Sequence, residues 1–511
     1  MEGLGADLNK ALLPLGLQGV ISHIIARFPK ETRFVIALGY KGNQVRDYLA
    51  AAHPLIDFQF VEVDRFEGPG SGPGYSLSKC EAHLQTPFFF VSCDTLWDGE
   101  IPFESEHNWF GTAPVPREEA PHYCNFTLTS GEPVISGIFD KTQAPENTRA
   151  EAFIGLCYIR NCDLFWPSLK QDVLVGGEHQ ISNGIRALVD SGKAVARTLD
   201  WTDLGTAERF LRAAAKHQDY DFSKVGEFLY ILNGRVVKFF ENQSIVEKRV
   251  ARARLNPAVF PPITTCAGQF YSYDFVPGKT LYQENSPAIF RKLLAWLKQN
   301  LWRHDAVSPI DFEAKCDTFY KVKTLERLAA YHLKYPGSDV ASTVNGIRVP
   351  SASELLGQVP WEKLLKGSPA FFHGDLQFDN ILYASELDSF TLLDWRQDFG
   401  GDVAAGDQYY DLAKLNGGIL LAYDFIKKGL FAYAQSEDSI TLDFASRYLS
   451  QEYQAILAEF VRAEGLDWDH IRLMTAIIFL NMAPLHHFPF DKLLYALGRQ
   501  HLHNALNGPA H

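Results

Sequence analysis

Three apolar runs near the start of the chain, Phe34–Leu38, 58–63 and 88–92, are five or six residues long and are separated by stretches of helical periodicity such as 44–52. Runs this short suit strands rather than helices. Their alternation with amphipathic segments predicts a layered α/β domain with a mainly parallel sheet. Gly39 follows the first run closely, as the turn into a crossover requires. The alternation closes on an Ala-rich helical segment, 207–217, which places a domain boundary there. The chain then divides into a first domain, 1–215, and a second, 221–511.

The second domain opens differently. Glu227–Leu232 and Arg235–Phe240 are β-rich runs on either side of Asn233 and Gly234, the strongest short-range hairpin signal. A helix is predicted over 244–255 and a strand over 270–276, ending at Pro277 and Gly278. From Pro287 onward helices dominate, interrupted by an irregular stretch around 367–402. A β-rich lobe followed by a helical one is a bilobal plan.

Bulk properties narrow the function. The 511 residues are 46% hydrophobic and 21% charged, enough apolar content to build cores in more than one domain. A formal net charge of -13 argues against nucleic-acid binding, which usually needs a basic face. Seven cysteines without CxxC pairs give neither a zinc site nor a disulfide framework and fit a reducing cytoplasm. No apolar run approaches the roughly 18 residues of a membrane helix, and the start lacks a signal-peptide pattern. The expectation is a cytoplasmic protein without membrane insertion.

The motif with the clearest chemistry is His373, Gly374, Asp375, then Asn380, with Asp394 in the apolar run Leu392, Leu393, Asp394, Trp395. Phosphoryl transfer from ATP needs a carboxylate to orient the acceptor hydroxyl and take its proton, and oxygen ligands to hold Mg2+ against the phosphates. Asp375 suits the first task, and Asn380 and Asp394 the second. Single Asp and Asn residues in loops ordinarily make turns; the full pattern is far more specific.

This segment resembles the aminoglycoside-phosphotransferase and choline-kinase family, with His-Gly-Asp where protein kinases carry His-Arg-Asp. The resemblance covers about 221–511. It implies a bilobal, protein-kinase-like α+β fold with ATP between the lobes. It also implies that Lys238 contacts ATP phosphates, that Glu247, or else Glu241, partners it, and that residues 273–276 form a hinge beside adenine. No G-x-G-x-x-G loop precedes the hairpin, so the phosphate-covering loop is unusual or lies in 222–226. Asp411 is read as structural, and Asp402 and Asp407 as solvated carboxylates that could face a cationic or polyol acceptor.

The first domain looks like the Rossmann-like nucleotidyltransferases that join a sugar phosphate, or another phosphorylated alcohol, to a nucleoside triphosphate. The resemblance rests on the order of 9–15, 20–25 and 37–42, followed by the glycine-rich run Glu67, Gly68, Pro69, Gly70, Ser71, Gly72, Pro73, Gly74. It implies that Lys10 neutralises phosphate charge and that Gly70 and Gly72 let the backbone approach a nucleotide. It implies further that Asp94 and Asp203 bind Mg2+, and that Lys141 and Glu178 touch substrate. The family's opening strand and its G-x-G-[ST]-R loop are missing; only Gly3 and Gly5 could be a remnant. Losing that strand should expose a sheet edge. Either the start was assigned too late or this domain has lost catalysis, and the persistence of Lys10, Asp94 and Asp203 favours the first.

Together the two resemblances imply a bifunctional enzyme. One half would phosphorylate a sugar, polyol or amino alcohol with ATP. The other would couple that phosphate to CTP or another NTP, as in surface-polysaccharide precursor synthesis. The alternative is a kinase whose first domain only binds nucleotide or substrate.

Overall fold

The structure is a computed structural model that describes residues 8–130, 132–142, 151–171, 173–216, 226–304 and 308–508. It is mixed α/β, 41% helical and 25% strand. The chain forms two compact units. The first is Met1–Gln218 with Gly226–Glu241 and Ala267–Ser272; the second is Asp219–Val225, Asn242–Cys266 and Tyr273–His511. Gly3, Gly5 and residues 222–225 lie outside the described residues.

In the first unit, α1 (Val20–Ile25), β1 (Phe34–Leu38), α2 (Gly42–Ala52), β2 (Phe58–Glu62), α3 (Pro73–Lys79) and β3 (Phe88–Val91) follow the predicted alternation. Then come β4 (Thr95–Asp98), β5 (Asn108–Pro114), β6 (Cys124–Leu128), β7 (Ile135–Asp140), β8 (Glu151–Ile159), β9 (Ala194–Thr198), β10 (Asp200–Asp203) and α4 (Ala207–Ala214). The main sheet runs β9-β5-β8-β6-β7, and β3 also pairs with β8. The expectation of a mainly parallel sheet is corrected here. β8 is antiparallel to β3, β5 and β6, and only β9 runs parallel to β5 within that sheet. The sequence pattern of short buried strands is the same for either direction, so periodicity could not decide it.

The period of two explains the layers. Along β8, Ile154, Leu156 and Tyr158 join one core with Tyr48, Leu49 and Phe210, while Phe153, Cys157 and Ile159 join another with Phe126, Phe165 and Ile185. Both faces of this strand are therefore covered, which is why it reads as a nearly continuous apolar run. β1 and β2 form a separate parallel pair, and among the described residues no strand pairs with the far edge of β1.

The Asn-Gly hairpin forms as the sequence predicts: β11 (Glu227–Leu232) and β12 (Arg235–Phe240) pair in register, with φ of 50° at Asn233 and 70° at Gly234. By compactness it belongs to the first unit, whereas the sequence pattern grouped it with the helical lobe. The physical reason is packing. The Tyr230 hydroxyl donates to the Leu12 carbonyl at 2.8 Å, the Ile231 amide to the Leu17 carbonyl at 2.8 Å, and the Tyr230 and Tyr48 rings meet edge to face at 4.9 Å.

His53, buried beneath this hairpin, bonds the Ser22 hydroxyl through Nε2 at 2.8 Å and the Asn233 amide through Nδ1 at 3.3 Å. Burial pushes its pKa down to about 4. The unfolded chain therefore binds a proton that the folded chain refuses. The contribution of His53 is complete above about pH 6.5 and is lost as pH falls toward 4. Between pH 6.5 and 5 that amounts to about 2 kcal/mol. Urea unfolding at both pH values should show a smaller acid loss, by about that amount, in His53→Gln than in the unsubstituted chain. Equal losses would mean that the ring protonates without unfolding.

The second unit contains α5 (Gln243–Leu255), α6 (Lys323–Lys334), β13 (Ser342–Val344), β14 (Ile347–Val349), β15 (Ile381–Ala384), β16 (Ser389–Leu392) and α7 (Gln408–Leu420). β17 (Phe431–Ser436), β18 (Ser439–Phe444), α8 (Trp468–Met482) and α9 (Phe490–Asn507) complete it. Helices dominate, as expected, but a four-stranded sheet β14-β13-β18-β17 was not foreseen. Its signal was present: Asn345 and Gly346, with φ of 46° and 81°, make the same kind of turn as the first hairpin. The irregular stretch 367–402 contains the hairpin β15–β16. α7 is buried on every side and passes through the centre of the helical layer.

No helix among the described residues is long and apolar enough to cross a membrane.

Candidate functional sites

In the first unit the sheet pairing builds a carboxylate pair. β10 lies antiparallel to β4, so that Asp203 sits opposite Thr95, and the Leu204 amide donates to the Asp94 carbonyl at 2.9 Å. A side chain at Gly205 would place its first carbon 3.0 Å from Asp203 Oδ1 and 3.8 Å from Asp94 Oδ2. The two carboxylates thus approach one another around Gly205, whose amide donates to Asp203 Oδ1 at 2.7 Å and where a side chain would crowd that oxygen. Lys10 Nζ reaches Asp94 Oδ2 at 2.9 Å, and the Ser92 hydroxyl donates to Asp94 Oδ1.

A bulge helps to place this cluster. The register of β8 against β5 shifts between Phe153 and Cys157, around Gly155 at φ 79°, and the Ser92 amide donates to the Gly155 carbonyl at 2.8 Å. A Cβ at Gly155 would come within 2.8 Å of the Ser92 Cβ, so the close approach requires glycine. On the other side, Asp203 Oδ2 accepts from Tyr123 at 2.8 Å and from Arg209, on α4, at 2.5 Å.

The Lys10 amine is held above its ordinary value, with Cys93 as the largest contributor and Asp94 and Asp203 adding to it. Burial raises the Cys93 thiol itself, so it is neutral near pH 7, and we assign the effect on Lys10 to the two carboxylates. Burial opposes ionisation of Asp94, but Lys10 and Ser92 outweigh it and its carboxyl lies below the usual range. The result is a paired, ionised carboxylate beside a charged amine at the carboxyl end of β3.

The predicted glycine-rich loop has a local explanation. A Cβ at Gly72 would come within 2.6 Å of the His179 carbonyl, and one at Gly74 within 2.5 Å of the Gln180 carbonyl. The Gly70 amide donates to the Gly177 carbonyl at 2.8 Å. These glycines let the loop pack against residues 177–180. Lys141 and Glu178, expected to contact substrate, form an ion pair with each other at 3.0 Å.

In the second unit the loop before β15 is held by buried polar groups. Asp411, fully buried near the start of α7, accepts from the amides of His373 and Gly374, each at 2.7 Å, and from Trp302 Nε1 at 3.1 Å. His373 is fully buried. Its Nδ1 accepts from the Asp375 amide at 3.1 Å, which leaves Nε2–H to donate to the Leu393 carbonyl at 2.8 Å. Burial pushes its pKa down to about 3, so the ring is neutral. One histidine thereby ties the segment bearing Asp375 to the segment bearing Asp394.

Asn380 adds a second tie. Its Nδ2 donates to the Asp375 carbonyl at 2.8 Å and lies 3.4 Å from Asp375 Oδ2, while its own carbonyl accepts from the Leu393 amide at 2.8 Å. Asp394 has φ of 58°, a left-handed conformation that costs energy and that Asp tolerates better than most residues. Arg249 Nη1 stands 3.8 Å from its Oδ1. Asp375, Asn380 and Asp394 are thus gathered by one set of bonds. Lys238 is buried on β12 in the first unit, whereas Glu247 is exposed on α5 in the second and accepts from Gln243 at 2.9 Å. Asp402 pairs with Lys315 at 2.6 Å, and Asp407 is buried and accepts from the Tyr320 hydroxyl at 2.7 Å.

Sequence reasoning missed Lys414. This buried α7 residue, one turn beyond Tyr410 and Asp411, places Nζ 2.8 Å from Asp375 Oδ1. Its spacing from Asp411 was a usable signal, since residues three apart on a helix share a face.

No family model matches the sequence, and no curated protein matches it. Among solved structures, the N-terminal part is similar to a Bacillus anthracis structure described as a glucose-1-phosphate thymidylyltransferase. That pair shows 19% identity and a TM-score of 0.36, over 44% of this chain and 92% of the other. It is also similar to a UDP-glucose pyrophosphorylase complexed with UDP-glucose (17% identity, TM-score 0.35, 41% of this chain and 89% of that one). A UTP-bound UGPase from Acinetobacter baumannii shows 11% identity and a TM-score of 0.35, over 42% of this chain and 87% of that one.

Proposed function

We propose that the second unit phosphorylates the hydroxyl of a small alcohol with ATP and that the first couples a phosphorylated alcohol to a nucleoside triphosphate. The observation that supports the kinase reading is the set of bonds through His373 and Asn380 that ties the segment bearing Asp375 to the segment bearing Asp394. In this reading the acceptor oxygen forms a bond to the terminal phosphorus of ATP as the bond to ADP breaks, and Asp375 takes the hydroxyl proton. Asn380 and Asp394 offer the hard oxygen donors that suit Mg2+, which when bound neutralises phosphate charge. Lys238 and Glu247 fall in different units, and their expected pairing plays no part in the reading.

For the first unit the support is the cluster of Lys10, Asp94 and Asp203 around Gly205. Two carboxylates there fit Mg2+, and Lys10 would bind a phosphate. The acceptor phosphate would bond to the α-phosphorus of the nucleotide and pyrophosphate would leave. CTP is the first nucleotide to test, and a place in surface-polysaccharide precursor synthesis is part of the same proposal.

The test is incubation of the full chain with magnesium, ATP, CTP and a pool of sugars, polyols and amino alcohols, with products read by mass. A product bearing one added phosphate is expected, and a nucleotide-linked product that disappears in Asp94→Asn. Phosphate ester without any nucleotide-linked product, whatever the NTP, would favour the reading in which the first unit only binds. Absence of any phosphate ester across the pool, with no ATP binding by calorimetry, would overturn the kinase.

A further inference from the structure

The surroundings of Asp375 carry a charge imbalance that the phosphoryl-transfer reading does not use. Lys323 and Arg327 lie four residues apart on α6 and so present two basic side chains on one face. Lys323 Nζ sits 4.2 Å from the centre of the Phe319 ring, and the Arg396 guanidinium sits 4.6 Å from the same ring. Arg327 donates to the Asn481 carbonyl at 3.1 Å, a neutral acceptor. Among the described residues none of these three basic groups has a carboxylate within ion-pair reach, and Arg396 Nε is buried without a hydrogen-bond partner.

The nearby carboxylates are committed elsewhere. Asp398 pairs with Lys248 at 2.7 Å and Asp402 with Lys315 at 2.6 Å, while Asp407 is taken by Tyr320 and by the Ser368 and Tyr409 amides. A site for a cationic acceptor would leave carboxylates free; here it is the guanidinium groups of Arg327 and Arg396 that lack a carboxylate partner. That these basic groups are neighbours is also felt electrostatically: after burial itself, Arg396, Arg327 and Lys414 are what push the Lys323 amine down, to about 5, so that it is neutral near pH 7 and would regain its proton only beside an anion. The Asp375 carboxylate is placed between two environments. Oδ2 faces the Asn380 amide, on the side proposed for the nucleotide, and Oδ1 faces Lys414, on the side of the cations.

We propose that the alcohol phosphorylated at Asp375 carries an oxyanion, a carboxylate or a phosphate, which Arg327 and Arg396 hold, with Lys323 beside them, while its hydroxyl meets Asp375. This rests on the kinase reading and narrows it from alcohols in general to hydroxy acids, sugar acids or alcohol phosphates. Guanidinium groups suit such an anion because they match two oxygens at once.

The test uses matched probes with the full chain, ATP and magnesium: glycerol, glycerate and glycerol phosphate; glucose, gluconate and glucose phosphate; and ethanolamine as a cation. The anionic members should be favoured in kcat/KM by about tenfold or more, and the carboxylate and phosphate arms tell which oxyanion is meant. Arg327→Gln and Arg396→Gln should each raise the acceptor KM about tenfold and leave the KM for ATP within about twofold, and Arg327→Lys should recover most of the loss. Preference for neutral or amino alcohols would overturn the proposal, as would a rise in the KM for ATP instead of the acceptor. Calorimetric titration of the same anionic probes needs no turnover. If no acceptor of any charge is phosphorylated, the kinase reading fails, and binding lost in Arg327→Gln would still support the anion site. Equal or absent heats in both proteins would overturn it.

Discussion

Asp375→Asn is expected to lower kcat for phosphoryl transfer by about 10²–10⁴-fold, the usual worth of a positioned general base, with little change in the KM for ATP. The substitution is nearly isosteric. An asparagine oxygen can still face Lys414 Nζ, which stands 2.8 Å from Oδ1, and the Gln377 amide, at 3.2 Å. The backbone tie from Asn380 Nδ2 to the residue-375 carbonyl does not depend on the side chain. What the amide cannot do is accept the hydroxyl proton. A fall in rate without a fall in thermal midpoint would separate the lost base from a lost fold. Retention of activity within about tenfold would remove Asp375 from the role and leave the HGDxxxxN segment as an ordinary loop.

The largest loss of stability is expected at Asp411. Its carboxylate is fully buried and accepts three N–H donors: the His373 and Gly374 amides and the Trp302 indole. Asp411→Ala leaves all three in the interior without an acceptor, at about 1–3 kcal/mol each. Burial pushes the carboxyl up to about 6, so part of the charge's burial cost is relieved by its removal. The net expectation is a loss of about 3–5 kcal/mol, read as a shift of the urea transition of the second unit. Asp411→Asn keeps one acceptor oxygen and should lose about half as much. A loss below about 1 kcal/mol in Asp411→Ala would mean that the loop amides find other acceptors, and that Asp411 does not set the position of Asp375. Because the two units need not unfold together, the transition should be followed by a probe confined to the second, such as Trp395, which is wholly buried.

Some of this architecture was written locally. The hairpin around Asn233 and Gly234 followed from turn chemistry, since both residues need positive φ and these two residue types accept it cheaply. Phe34–Leu38, Gly42–Ala52 and Phe88–Val91 followed from period and length. The run from His373 to Asn380 was legible for the same kind of reason: its groups bond to one another over a few residues, so spacing alone brings Asn380 Nδ2 to the Asp375 carbonyl.

What spacing could not supply was anything that depends on residues far apart in the chain. The direction of the main sheet was misread because buried strands look alike whichever way their neighbours run. The pairing of Lys141 with Glu178 joins two segments far apart in the chain, and the packing of Gly72 and Gly74 against residues 179–180 gave the glycines a reason within the fold. Asp94 and Asp203 could be named from sequence, but only the register of β4 against β10 sets them around Gly205. Lys323, Arg327, Arg396 and Lys414 come from three separate segments, and nothing in their spacing announces a common environment. The sequence by itself determined the local elements and the groups able to do chemistry. Tertiary structure alone decided which charges are neutralised and which are left, because a charge's partner is chosen by proximity in space and by burial, neither of which a linear pattern encodes.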